Sequence, residues 1–568
     1  MNTKFRLFAI IGLFFSVGSF GQLLEKKETF THADTLRGSL NENRTWWDVL
    51  RYDVHVQPDY ATKTIVGMTT ITFKVLKPER KMQIDLQEPL IIDSILWNTG
   101  TTAKTRYKKL PFHQDQNVTL VDWPVLAPAI KQASINIYYH GKPKEAVRPP
   151  WDGGWIWKKD EKGRPWMSVA CQGLGASVWY PCKDHQSDEP DKGASLTITV
   201  ADSLVAVGNG RLVKKLTKGN GFTEYTWEVK NPINNYNIIP YIGNYVNFTD
   251  TFMGEKGKLD LSYWVLDYNL EKAKKQFVQV KWMLRAFEYW MGPYPFYEDS
   301  YKLVDAPHLG MEHQSAVAYG NRYLNGYLGR DQSGTGWGLK WDFIIVHESG
   351  HEWFANSITS KDLADMWIHE GFTNYSETLF TEYQSGIQAG NEYNYGTRKG
   401  IRNDTPIIGP YGVNKEGSGD MYPKSGNMLH SIRHAMNNDE KFREMLRYLN
   451  KKFYHQTVTT EDIQKVVSDY FGSSVEKIFD QYLRTTQVPV LEYFVSTDKT
   501  KLSFRWTNCV DGFNLPIFIN SDRGAMILGP ESNKWNTKIL QPQVDVTALF
   551  DHIEKLYYCK VKAVTEMK

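Results

Sequence analysis

The chain has 568 residues, 41% of them hydrophobic and 23% charged, with a formal net charge of +3. That length exceeds what one hydrophobic core supports, so two to four domains are expected, and the ordinary composition excludes a disordered or fibrous chain. No run of five or more basic residues occurs, which with so small a charge excludes a polyanion-binding surface and leaves no nucleic-acid partner expected.

The first segment, MNTKFRLFAIIGLFFSVGSFGQ, sets Lys4 and Arg6 before the apolar stretch Leu7 to Phe15 and small residues at Ser19 and Gly21. This is the layout of a secretory signal, with residues 1–21 removed before Gln22. Its apolar run is well short of the roughly 20 residues that span a bilayer. No cysteine follows it for a lipid anchor, and no other stretch is apolar enough to cross. A secreted or periplasmic product without stable membrane insertion is expected, and loss of Lys4 and Arg6 takes the charge from +3 to about +1. In an oxidising compartment Cys171, Cys182, Cys509 and Cys559 admit three pairings. The most local, Cys171 with Cys182 and Cys509 with Cys559, is the expected one, with free buried thiols the alternative for the first pair.

From about Trp47 to Tyr245 short alternating runs such as YDVHVQPD, TIVGMTTITFKV and SLTITVADSLVAVGNG are separated by Pro, Gly, Asn and Asp. They predict a large antiparallel β domain, bounded at 22–247. At Asn269 the period changes: Ala273, Phe277, Val280, Met283, Leu284 and Phe287 fall at helical spacing and the pattern stops at Gly292 and Pro293. Helices are expected to dominate the second domain, 248–487, with strand-like pieces between Tyr301 and Tyr319 and a helix opening on Thr460 as its N-cap. The remainder, 488–568, alternates again and reads as a small β-sandwich. The fold class is thus α+β and multidomain.

The chemistry lies in HESGHEWFANSITSKDLADMWIHEGF. His347 and His351 are spaced i, i+4, so both imidazoles leave one helix face and can meet one ion. Glu348 sits beside them, placed to exchange a proton with water at the ion. Structural zinc takes four protein ligands, whereas a hydrolytic one takes three and keeps a position open. Glu370, 19 residues after His351, supplies the third if a second helix runs antiparallel to the first. His369 then faces the other way, and Asn374 and Glu377 follow at one and two turns as residues that could orient the ligands. By composition a chance H-E-x-x-H is expected about 0.02 times in such a chain, so coincidence explains it poorly.

With HESGHEWFANSI, WIHEGFTNYSE, LGMEHQS, CQGLGASVWYPCKDH, GPYPFYEDSYKLV and MYPKSGNML in this order, the chain resembles the gluzincin aminopeptidases related to aminopeptidase N and leukotriene hydrolase. The resemblance runs from about 50 to 490. It implies a thermolysin-like second domain, one Zn2+ per chain on His347, His351 and Glu370, and Glu348 as general base and acid. It also implies Glu312 and Gln172 as anchors for a substrate's free α-amine, Gly310 and Met311 as backbone along the substrate, and Tyr422 as donor to the oxyanion. The segment SAVAYGN would be an edge strand alongside an extended peptide.

Three departures carry expectations of their own. The family's usual Gly-Ala-Met-Glu-Asn is here Leu309-Gly310-Met311-Glu312-His313, so recognition after the anchor glutamate is expected to differ. Ser425 is an extra residue in the usual Tyr-x-Lys-Gly. Only a short β segment follows Leu491, so a wider cleft is expected than in relatives with a helical closing domain. The function expected is removal of N-terminal residues from peptides. A thermolysin-type endopeptidase and a peptide-binding protein without turnover are the alternatives, and the oligomeric state is left open.

Overall fold

The computed structural model describes residues 29–100, 106–124, 130–521, 524–540 and 546–567. The expected signal segment lies outside the described residues.

Eight strands form the main N-terminal sheet, in the order Arg211–Thr217, Phe222–Val229, Ala194–Ala201, Trp47–Asp59, Thr64–Val75, Gln132–Gly141, Ile91–Asn98 and Tyr107–Leu110. Alternation gives each strand one apolar face: within Thr64–Val75 it is Ile65, Ile71 and Phe73 that are fully buried. Trp46, Trp47, Phe73 and Trp123 close the core edge to face. The sheet is antiparallel except where Trp47–Asp59 lies parallel to Ala194–Ala201, with Tyr52 opposite Ala194. Period-2 patterning is the same for either direction, so only the long connection between these strands reveals the parallel pair.

A second, five-stranded sheet follows in the order Tyr245–Gly254, Gly257–Leu266, Tyr301–Asp305, Val317–Tyr319 and Gly310–Met311. The expected boundary at 247/248 falls inside its first strand. One face, through Leu266, Val304, Ala306, Met311, Ala316 and Ala318, joins the N-terminal core. The other, through Leu259, Leu261, Tyr263, Leu303 and Val317, is covered by helices. Val317–Tyr319, in the SAVAYGN segment, is an inner strand, and the edge belongs to Gly310–Met311. The expectation for that segment is corrected: its alternate residues are buried on both faces, which suits a covered strand.

The helical stretch predicted from Asn269 is two helices, Leu270–Gln276 and Gln279–Met291, the second ending at Gly292 with φ 93°. Helix Thr460–Phe471 is capped by Thr459 rather than Thr460, because the side chains of Thr459 and Asp462 satisfy one another's backbone amides. The C-terminal strands Asn536–Ile539, Lys501–Thr507, Val490–Val495 and Lys560–Ala563 form one sheet beside a hairpin, Ile517–Ser521 with Gly524–Leu528. A helix the alternation did not suggest, Val546–Leu556, lays Phe550 flat on Tyr493 with ring centroids 3.8 Å apart. Leu491, Leu502, Phe504 and Trp506 share one apolar cluster with the preceding helices. All four cysteines are free, correcting the expected pairing. Cys171 instead donates to the Tyr236 carbonyl while the Cys182 backbone pairs with Asp85, so the two thiols serve different neighbours. Among the described residues no helix is long and apolar enough to cross a membrane.

Candidate active site

The helix Phe343–Gly350 begins where Asp342 Oδ1 accepts the amides of Ile344 and Ile345. Asp342 is held in turn by Tyr319 Oη at 2.7 Å and Gln276 Nε2 at 2.8 Å, which ties the helix start to the sheet. His347 lies in its last turn and His351 caps it. Helix Trp367–Ser385 crosses alongside and carries Glu370 in its first turn. His369 faces the opposite way, its Nε2 accepting from the Ser360 amide at 2.8 Å.

The ligand atoms of His347, His351 and Glu370 lie within 4.8 Å of one another. Glu370 Oε2 is 3.4 Å from His351 Nε2 and 3.7 Å from His347 Nε2, is buried, and accepts no hydrogen bond. Both Nδ1 atoms are occupied: His347 donates to Glu377 Oε1 at 2.7 Å and His351 to the Phe354 carbonyl at 3.1 Å. Both Nε2 lone pairs are therefore turned on one point that an unsatisfied carboxylate oxygen also faces, a donor set that fits a divalent zinc ion. Burial opposes ionisation of Glu370, but without an ion the imidazoles of His351 and His347, protonated at Nε2, outweigh it and hold the carboxyl well below the usual range.

Glu348 faces the same space from the other side. Its Oε1 approaches Gly310 so closely that a Cβ there would sit 2.7 Å away and the carboxylate would have to shift. Burial pushes the Glu348 carboxyl up to about 7 against the pull of the two imidazoles, near the value at which one group both takes and returns a proton. Met311 and Gly310 line the cleft on the edge strand. Glu312 follows, fully enclosed, and accepts from Tyr236 Oη at 3.0 Å. It groups with Glu348 and His351, their ligand atoms also within 4.8 Å. Burial, ahead of the neighbouring charges, raises the Glu312 carboxyl. Gln172 reaches the cleft from the N-terminal domain, its amide 3.9 Å from Met366 Sδ, a weak acceptor that leaves it available.

Tyr422 immediately precedes helix Pro423–Met436, its ring stacked 6.0 Å from that of His347. Burial and the carboxylates of Glu370 and Glu312 keep its phenol protonated, a donor aimed at the site. Ser425 packs against Gly371, where a Cβ would meet its own Cβ at 2.5 Å. The extra residue thus seats the two helices on each other while Tyr422 remains in the cleft. His313 is turned away, buried and donating from Nδ1 to Tyr241 Oη at 2.6 Å. Asn374 Nδ2 lies 3.3 Å from Glu377, whose other oxygen accepts from Tyr393 Oη at 2.6 Å.

Every residue predicted to hold the metal, react or bind substrate therefore lies around one cavity of about 980 Å³, while His369 and His313 are turned out of it. Missed were Tyr236, Tyr393 and Thr373, whose hydroxyl lies 3.0 Å from His351 Nδ1. Tyr236 is 76 residues from Glu312, and nothing local marks the pair; Thr373 is legible in hindsight as one turn after Glu370 on the same helix.

Residues 49–236 match the Peptidase M1 N-terminal domain and residues 269–482 the Peptidase family M1 domain. Aminopeptidase M1-B of Oryza sativa subsp. japonica is 22% identical over 473 residues, 78% of this chain and 50% of its own. Endoplasmic reticulum aminopeptidase 1 of Homo sapiens is 21% identical over 426 residues, 72% of this chain and 44% of its own. The chain thus spans about half the length of such curated relatives. An M1 zinc metallopeptidase from Deinococcus radiodurans shares the fold, with a TM-score of 0.65 at 21% identity over 78% of this chain and 94% of that one. A mutant of it bound to a Tyr-ser-ala substrate aligns with a TM-score of 0.62 at 21% identity, over 78% and 95%.

Proposed function

Because the chain belongs to peptidase family M1, we propose that it is a zinc-dependent aminopeptidase that removes N-terminal residues from peptides. The observation that carries this reading is the enclosed Glu312 carboxylate, clustered with Glu348 and His351 beside the three-ligand set. A carboxylate one residue's length from the scissile carbonyl attracts an α-ammonium, so the enzyme counts from the N-terminus.

His347, His351 and Glu370 would hold the zinc, which when bound supplies Lewis-acid activation of water and of the carbonyl. Glu348 takes a proton from the attacking water at its carboxylate and returns it to the leaving amine. Tyr422 Oη donates to the oxygen on which charge develops, a contact whose loss typically costs about a hundredfold or more. Glu312, with the Gln172 amide, holds the substrate amine, and Tyr236 fixes the Glu312 carboxylate from behind. Glu377 and the Phe354 carbonyl fix the ligand imidazoles.

Purified protein is expected to cleave aminoacyl anilides, to lose that activity on chelation and regain it with zinc, and to leave N-acetylated substrates intact. Undiminished cleavage of the acetylated substrate would establish the thermolysin-type endopeptidase instead. No turnover of any free-amine substrate by zinc-loaded protein would leave a peptide-binding protein. The pattern of the first 21 residues supports export to the periplasm or medium; mass spectrometry of the exported protein should find Gln22 at its start, and a mature chain retaining Met1 overturns that assignment.

A further inference from the structure

Resting on the aminopeptidase reading, we propose that Lys399 is an anchor for the C-terminal carboxylate of short peptide substrates, which makes this enzyme prefer small peptides with a free C-terminus. The cleft has a direction. Its amine end, with Glu312 and Gln172, adjoins His351. On the opposite side of the ligand set Phe343 stacks on His347, centroids 5.0 Å apart at 14°, and Tyr327 packs edge-on to Phe343. A peptide whose amine is held at Glu312 and whose first carbonyl lies at the ligands continues past His347, along Tyr327, Gln332, Phe343 and Thr397 to Lys399.

At that end the charges are few. Glu377 is occupied by His347 and Tyr393. Lys399 lines the same wall, is exposed to the cleft, and makes no hydrogen bond or ion pair among the described residues. The cleft's other lysine, Lys415, lies next to Asn414, whose side chain bonds Gly173 at the amine end.

The Lys399 ammonium is also placed rather than loose. It belongs to the turn Arg398–Gly400, which Arg398 pins by turning inward: its Nε donates to Asn427 Oδ1 at 2.6 Å, and its guanidinium lies 5.0 Å from the Tyr395 ring and 5.5 Å from that of Tyr558. With Arg398 inward, Lys399 projects the other way. Its Nζ rests over Gly334, where a Cβ would stand 2.6 Å off. An unpaired ammonium lining the cavity pairs best with a carboxylate, and the group every unmodified peptide presents at that end is its C-terminal one.

The test compares substrates sharing one first residue: an aminoacyl anilide, which has no carboxylate, and peptides of two to five residues as free acids and as C-terminal amides. For wild type, kcat/KM should favour the free acid by about tenfold at one length, the size of a charge-assisted contact, and that length reads the span of the cleft. Lys399→Ala should bring the ratio to near one, Lys399→Glu should invert it, and Lys399→Arg should keep most of it, with anilide turnover unchanged throughout. A ratio near one in wild type, or one that survives Lys399→Ala, overturns the anchor. So does a parallel fall on the anilide, which would make Lys399 a support of the site's structure. If zinc-loaded wild type cleaves none of these substrates, the aminopeptidase reading fails and the anchor with it.

Discussion

At the scale of single residues the site divides into groups that react and groups that hold them. Glu348 reacts: its carboxyl, raised to about 7, must accept and release one proton in each turnover. Glu348→Gln keeps the shape without the basicity, so turnover of aminoacyl anilides should fall about 10²- to 10⁴-fold while metal analysis finds one zinc per chain as in wild type. Glu377 holds: it accepts from His347 at 2.7 Å and from Tyr393 at 2.6 Å. Glu377→Gln weakens that grip on the His347 ring, and zinc affinity measured by competition with a chelator should drop about 10- to 100-fold. An unchanged affinity would mean the imidazole is fixed by its own helix.

Between elements, the decisive contact is the one that seats helix Trp367–Ser385, carrying Glu370, against helix Pro423–Met436, preceded by Tyr422. Gly371 and Ser425 meet there with no room for another carbon. Gly371→Ala overpacks the seam, a change that costs about 1–3 kcal/mol, and relief requires the helices to part. The urea midpoint should fall and zinc content and kcat should fall with it, because Glu370 adjoins the displaced residue. A variant that lost stability but kept full zinc and kcat would show that the strain is absorbed elsewhere.

For the molecule as a whole, the substrate cleft is a seam: Gln172 and Tyr236 come from the N-terminal sheet domain, and Glu312, the ligands and Tyr422 from the rest. Glu189 lies on the same seam, accepting from the Thr359 hydroxyl across it. Burial pushes its carboxyl up to about 8, against the pull of the side chains of Thr359 and Asn234. The folded protein then keeps a proton that the unfolded chain gives up near the ordinary value of 4.5. This group's contribution is therefore fully present at low pH and shrinks as pH rises from about 4.5 through 8. Glu189→Gln removes the dependence, so the variant's denaturation midpoint minus that of wild type should increase from pH 5 to pH 8; a constant difference would contradict the assignment. The three ligands come together only in the folded chain, so thermal midpoints should rise with free zinc and fall with chelator, by about 2.7 kcal/mol of stabilisation at a hundredfold excess over Kd.

What the sequence determined by itself was what depends on short-range order. His347 and His351 had to share a helix face because the helical repeat is 3.6 residues, and the alternation in TIVGMTTITFKV had to bury Ile65, Ile71 and Phe73 together. Glu370 was legible only because a hydrolytic site needs a third ligand and a second helix could return one beside the two histidines, and Glu312, Gln172 and Tyr422 only through the resemblance. Tertiary structure decided the rest. It paired Trp47–Asp59 in parallel with a strand more than a hundred residues later, made Gly310–Met311 rather than SAVAYGN the edge, left the cysteines free, and brought Tyr236 behind Glu312 and Lys399 to the far wall. Periodicity fixes which face of an element is apolar; which elements meet across that face is chosen by burial of the whole surface at once, and no local pattern encodes it.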